Sequence, residues 1–98
     1  MKHDLTLHLI ADNNFSVLNR IINILNRRRV RIKKLIAHEN EEDFRQGGVT
    51  MVVHTTDDMV EKVKVQLEKL IEVEEVRYHE NAPRAEPSMN AHEITYSL

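Results

Sequence analysis

Leu5, Leu7 and Leu9 alternate with Thr6, His8 and Ile10, and this period of two predicts a strand with one buried face. The rhythm then changes. Asp12-Asn13-Asn14 offers side-chain oxygens to the free amides of a helix start. Leu18, Ile21, Ile22 and Leu25 follow at i, i+3, i+4 and i+7, one apolar stripe of a helix. Arg27-Arg28-Arg29 closes that helix with positive charge where its macrodipole is negative, and no glycine caps the end.

Val30 to His38 reads as a second strand. Its apolar positions Ile32, Leu35 and Ile36 break strict alternation, which predicts a bulge or a strand apolar on both faces. Glu39 to Gln46 is a polar loop ending at Gly47-Gly48. Val49, Met51 and Val53 then alternate with Thr50, Val52 and His54, a third strand hairpinned to the second. Thr56 or Asp57 caps a second helix with the stripe Val60, Val63, Leu67, Leu70 and Ile71, and Val73, Val76 and Tyr78 mark a final short strand.

The order is β-α-β-β-α-β. Right-handed crossovers put both helices on one face of a four-stranded antiparallel sheet, the ferredoxin-like arrangement of the α+β class. The uncovered face should carry Ile10 and Val52 beside Thr6, His8, Thr50 and His54. Such a face, with open strand edges beside it, predicts association with another copy or a partner.

Punctuation divides the chain. Both prolines, Pro83 and Pro87, fall late, so residues 1–79 read as one folded body and residues 80–98 as a tail that is flexible or docks on a partner. The Ile94-Thr95-Tyr96 segment suggests a short strand after a linker. Ninety-eight residues make one domain at most. A body this small gains much from a partner. No apolar run approaches the ~20 residues that span a bilayer, and the opening Met1-Lys2-His3-Asp4 leads into no long apolar segment, so no signal peptide is expected. The absence of cysteine excludes disulfides and thiolate metal sites and suits a cytoplasmic protein. A net charge of −2 favours neither nucleic acid nor an anionic membrane.

Candidate chemistry is sparse. Of six histidines none shows a helical metal-ligand spacing, and His8 and His54 have only hydroxyls as evident neighbours, so surface or half-buried roles are expected and no metal site. Arg27 to Lys34 holds six basic residues in eight, but acidic Glu39, Glu41, Glu42 and Asp43 follow and no aromatic interleaves, so a solvated face is expected. Ser16, Ser88 and Ser97 have no adjacent base, and no glycine-rich phosphate loop exists. The pattern contains no catalytic residue. The turn from the first strand into the first helix is the best small-molecule candidate, because Asn13 and Asn14 sit where free N–H groups attract a carboxylate.

Here the residues resemble a family. Asn13-Asn14-Phe15-Ser16-Val17-Leu18-Asn19-Arg20-Ile21 resembles the first-loop motif of ACT domains, and Arg27-Arg28 and Ile32 continue the likeness. The run Gln66-Leu67-Glu68-Lys69-Leu70-Ile71-Glu72-Val73-Glu74-Glu75-Val76 is similar to the signature of acetolactate (acetohydroxyacid) synthase small subunits. The resemblance implies a non-catalytic regulatory subunit that forms a homodimer through its ACT sheets and activates a large catalytic subunit. That partner carries thiamine diphosphate, FAD and magnesium; this chain needs no cofactor. It implies feedback by valine or another branched-chain amino acid, bound near the first loop of one subunit and the second strand of its neighbour. The effector-binding residues so implied are Asn13, Asn14, Phe15, Ser16, Val17 and Arg31. Three positions depart from the pattern: Ser16 and Arg29 replace glycines, and Arg31 replaces an asparagine. An arginine still offers a carboxylate a bidentate hold. The alternative is a free-standing ACT amino-acid sensor that regulates a different enzyme.

Overall fold

A computed structural model of the chain describes residues 1–80 and 93–96. The elements are β1 (His3–Asp12), α1 (Phe15–Arg27), β2 (Arg31–Glu39), β3 (Gln46–Thr55), α2 (Asp57–Glu68), β4 (Val73–Glu80) and β5 (Glu93–Tyr96). All pairings are antiparallel, in the order β4-β1-β3-β2-β5. The first four strands and two helices form the ferredoxin-like sheet expected from the sequence. β5 adds a fifth strand along the outer side of β2, with Leu35 opposite Tyr96 and His38 opposite Glu93. The rest of the expected tail, residues 81–92 and 97–98, lies outside the described residues.

One core joins the helices to the sheet. Leu5, Leu7 and Leu9 of β1, Met51 and Val53 of β3, Val17, Ile21 and Leu25 of α1, and Val60, Val63 and Leu67 of α2 form a single buried cluster. Each fully buried aliphatic side chain of this kind stabilises by about 1.5–3 kcal/mol. No described helix is long and apolar enough to cross a membrane.

The helix ends follow local chemistry. Asn14 is extended and its side-chain oxygen accepts from the Val17 amide at 2.9 Å, capping α1. Thr56, rather than Asp57, caps α2 by accepting from the Met59 amide at 3.2 Å. At the other end of α1 the chain turns through Arg29 at φ 55°, a left-handed conformation that favours glycine and costs another residue about 1–2 kcal/mol. The missing glycine cap is therefore replaced by a strained arginine. The stripe expected for α2 overruns its end. The helix stops at Glu68, and Ile71 sits in the following turn, 98% exposed.

Two features of the hairpin matter for the site. The register of β2 against β3 shifts between Ile32 and Lys34, and this bulge lets Leu35 join the core while Ile36 is buried outside that cluster. The expected loop ending at Gly47-Gly48 is shorter than read. β3 begins at Gln46, so both glycines are ladder residues, paired with Ala11 and Ile10 on one side and Glu39 and His38 on the other.

Candidate functional site

Each central strand tapers toward the same end. Along β1 the core side chains run Leu5, Leu7, Leu9 and then Ala11; along β2 Leu35 is followed by Ala37; along β3 Met51 and Val49 give way to Gly47. Ala11 pairs with Gly47 and Ala37 with Val49, so the small residues fall side by side. Where large side chains would complete the core, a cavity of about 500 Å³ remains. Val17, Leu18 and Ile21 of α1 roof it, and Asp12 to Phe15 form its rim. The carboxylate-bearing residues Asp12 and Glu39 also line it, and both are exposed.

The rim is stapled in place. The Asn13 amide donates to the Arg45 carbonyl at 2.8 Å, and the Asn13 side-chain amide donates to the Phe44 carbonyl at 2.9 Å. The β2–β3 loop is held further by Asp43, which accepts from the Arg45 backbone and guanidinium at 3.1 Å; these bonds hold its carboxyl below the usual carboxylate range. Asn14 satisfies Val17, and its carbonyl accepts from Leu18. The Phe15 and Ser16 amides, first donors of α1, have no partner among the described residues. A helix start whose Phe15 borders an aliphatic hollow suits a small molecule with a carboxylate head and an apolar body.

Of the residues expected to bind an effector, Asn13, Asn14, Phe15 and Val17 line the cavity. Ser16 lies in the same helical turn, between Phe15 and Val17, but does not line the cavity. Arg31 is not brought to them within the chain. It opens β2 opposite His54, six residues from Ala37 and so about 20 Å along the strand. The sequence pattern did not place Ala11, Ala37, His38, Gly47 or Gly48 at a site, and marked the two glycines only as the end of a loop. The signal was the alternation itself, continued one step too far into alanine and glycine.

The other sheet face carries polar side chains in two groups. Asp4 accepts from Lys33 Nζ at 2.8 Å and pairs with His54 Nδ1 at 2.8 Å; these two bonds lower its pKa. His54 thus has a carboxylate neighbour, not only hydroxyls. His8 Nδ1 lies 3.2 Å from Thr50 Oγ1, and its Nε2 lies 3.1 Å from His79 Nε2. Burial, reinforced by the charges of His79 and Arg77, lowers the His8 pKa. The basic run is dispersed: Arg28 bonds Gln66, Lys33 pairs with Asp4, and Arg29 makes the turn.

Several solved structures share this fold. The ACT domain of the GTP pyrophosphokinase of Chlorobium tepidum superposes with a TM-score of 0.67 at 12% identity, covering 81% of this chain and all of that domain. The acetolactate synthase small subunit of Thermotoga maritima gives 0.71 at 22% identity over 83% of this chain; the match spans half of that subunit. A homoserine dehydrogenase of Thiobacillus denitrificans gives 0.67 at 21% identity, with 82% of this chain covering 17% of that enzyme. No curated protein matches the chain. The ACT domain family pattern matches residues 13–76, from the rim of the cavity through the second helix to the last strand of the body. The chain belongs to the ACT domain family.

Proposed function

We propose that the chain is the regulatory subunit of an acetolactate synthase, raising the turnover of a separate catalytic subunit and reading the level of a branched-chain amino acid. The observation that carries this reading is the aliphatic cavity at the start of α1. The Phe15 amide at the helix start would take the effector's carboxylate, Asp12 or Glu39 its ammonium, and Val17, Leu18, Ile21 and Val49 its branched side chain. A homodimer joined through the sheets would bring a second copy's Arg31 toward a site that its own Arg31 does not reach. The run from Gln66 to Val76 supports the choice of enzyme, because its residues resemble the small-subunit signature.

The test is to add the purified chain to the acetolactate synthase catalytic subunit of the same organism, with thiamine diphosphate, FAD and magnesium saturating. A rise in turnover of pyruvate supports the proposal, and an unchanged rate refutes it. Amino-acid binding without any effect on the synthase would assign the chain to a free-standing sensor of another enzyme.

A further inference from the structure

The His8–His79 pair lies away from the cavity, on the open face of the sheet. β1 and β4 place the two residues diagonally, since His79 opposes Thr6 and His8 opposes Arg77. Their rings stack with centroids 5.1 Å apart at 27°, and the two Nε2 atoms are 3.1 Å apart. Each ring is anchored through its other nitrogen. His79 Nδ1 is 3.0 Å from the Glu80 carbonyl; a carbonyl only accepts, so Nδ1 carries the proton and Nε2 keeps its lone pair. His8 Nδ1 is 3.2 Å from the Thr50 hydroxyl, which serves as donor or acceptor.

We propose that His8 and His79 are a two-histidine site for a divalent transition metal such as zinc, bound between their Nε2 atoms. Metal–nitrogen bonds of about 2.0–2.1 Å at about 90–109° put two ligand nitrogens about 2.8–3.4 Å apart, and the observed 3.1 Å falls inside that range. The outer partners are also those of a metal site, in which the second ring nitrogen is held by a carbonyl or hydroxyl that orients the imidazole. In the metal-free pair, His8 Nε2–H donates to His79 Nε2 and Thr50 donates to His8 Nδ1. On metal binding the His8 proton moves from Nε2 to Nδ1, where it is donated to Thr50 Oγ1. No net proton leaves. Arg77, the nearest cation facing the pair, has its own counter-charge in Glu75 at 3.2 Å. No group of three or more candidate ligands forms among the described residues, so water completes the coordination.

The experiment titrates the full chain, stripped by chelator, with zinc ion, following heat and the nitrogen resonances of the histidine rings. Expected are saturation at one zinc per chain and a His8 tautomer switched from Nε2–H to Nδ1–H. His79→Asn, at an exposed position, should weaken binding about tenfold or more, and Thr50→Val should weaken it through His8 to a similar degree. His3→Asn and His54→Asn should bind as the parent does. Absence of saturable uptake by the folded chain, or uptake unchanged by H79N, overturns the proposal. Because neither histidine lines the cavity, zinc uptake and amino-acid binding are read by separate titrations.

Discussion

The close approach of β2 and β3 beside the cavity makes a prediction that separates two adjacent glycines. A Cβ built on Gly47 would lie 2.9 Å from the His38 backbone oxygen and 3.3 Å from Asn13 Oδ1. One built on Gly48 would lie closer still, 2.5 Å from His38 Nε2 and 2.6 Å from Cε1. Distance alone ranks Gly48→Ala as the worse change; compliance reverses the order. The His38 oxygen belongs to the β2 backbone and moves only if the ladder moves, so overpacking there costs about 1–3 kcal/mol. The His38 ring is the far end of a half-buried side chain and swings aside for about 0.5–1.5 kcal/mol. Alanine returns about 0.4–1 kcal/mol in either case by restricting the unfolded chain. Gly47→Ala should therefore destabilise by about 1–2 kcal/mol, and Gly48→Ala should stay within about 0.5 kcal/mol of the parent. Urea denaturation followed by circular dichroism reads the difference as a midpoint about 1 M lower for Gly47→Ala, taking m as ~1–1.5 kcal/mol/M for a domain of this size. Adding His38→Ala to Gly48→Ala should leave a variant at least as stable as His38→Ala alone. A Gly48→Ala protein less stable than Gly47→Ala, or two neutral substitutions, would refute the reasoning.

Three further outcomes follow from the same structure. Asn14→Ala removes the acceptor of the Val17 amide and should cost about 1 kcal/mol; a loss below ~0.3 kcal/mol in the same denaturation assay would mean that the cap is not made in solution. Arg29→Gly relieves the left-handed backbone at φ 55°. It should add about 0.5–1 kcal/mol after the offset for glycine's freedom and the lost charge, seen as a melting temperature a few degrees higher. The pH dependence has two parts. Burial, with His79 and Arg77, lowers the His8 pKa in the folded chain, so the unfolded chain binds the proton more readily. Its stabilisation is full above the ordinary histidine value and is lost as pH falls from there through the lowered one. The Lys33 and His54 bonds lower Asp4, so its stabilisation is present above the ordinary carboxylate value and is lost as pH falls through its lowered value. His8→Asn should flatten the first segment of a stability-against-pH curve and Asp4→Asn the second, each leaving the other intact.

The parts of the fold that repeat were legible in the sequence. Leu5-Leu7-Leu9 is buried as its period requires, and of the stripe Leu18, Ile21, Ile22 and Leu25 the second and last are buried, the other two half-buried, with Val17 completing the face. The bulge at Ile32–Lys34 was visible as a broken alternation. Glycine and alanine were harder to place, because they carry little hydropathy to show which face they occupy. Gly47 and Gly48 therefore read as loop although they are ladder residues, and the tapering of three strands to Ala11, Ala37 and Gly47 leaves no mark in the hydropathy pattern. Ile71 extended the α2 period beyond the point at which the backbone turned. The meeting of His8 with His79 depends on the register of β1 against β4, in which His79 opposes Thr6 and Arg77 opposes His8. Periodicity within a segment says nothing about pairing of that range.

Calorimetric titration of the folded, full-length chain with valine, leucine and isoleucine, repeated on Ala37→Leu, tests the regulatory reading most directly. Ala37 lines the cavity, and a leucine there fills it with the side-chain volume that the strands omit. Saturable binding of at least one of the three by the parent, abolished in A37L with the fold retained, is the expected result. No saturable heat from a folded parent chain, or binding undiminished in A37L, would contradict it.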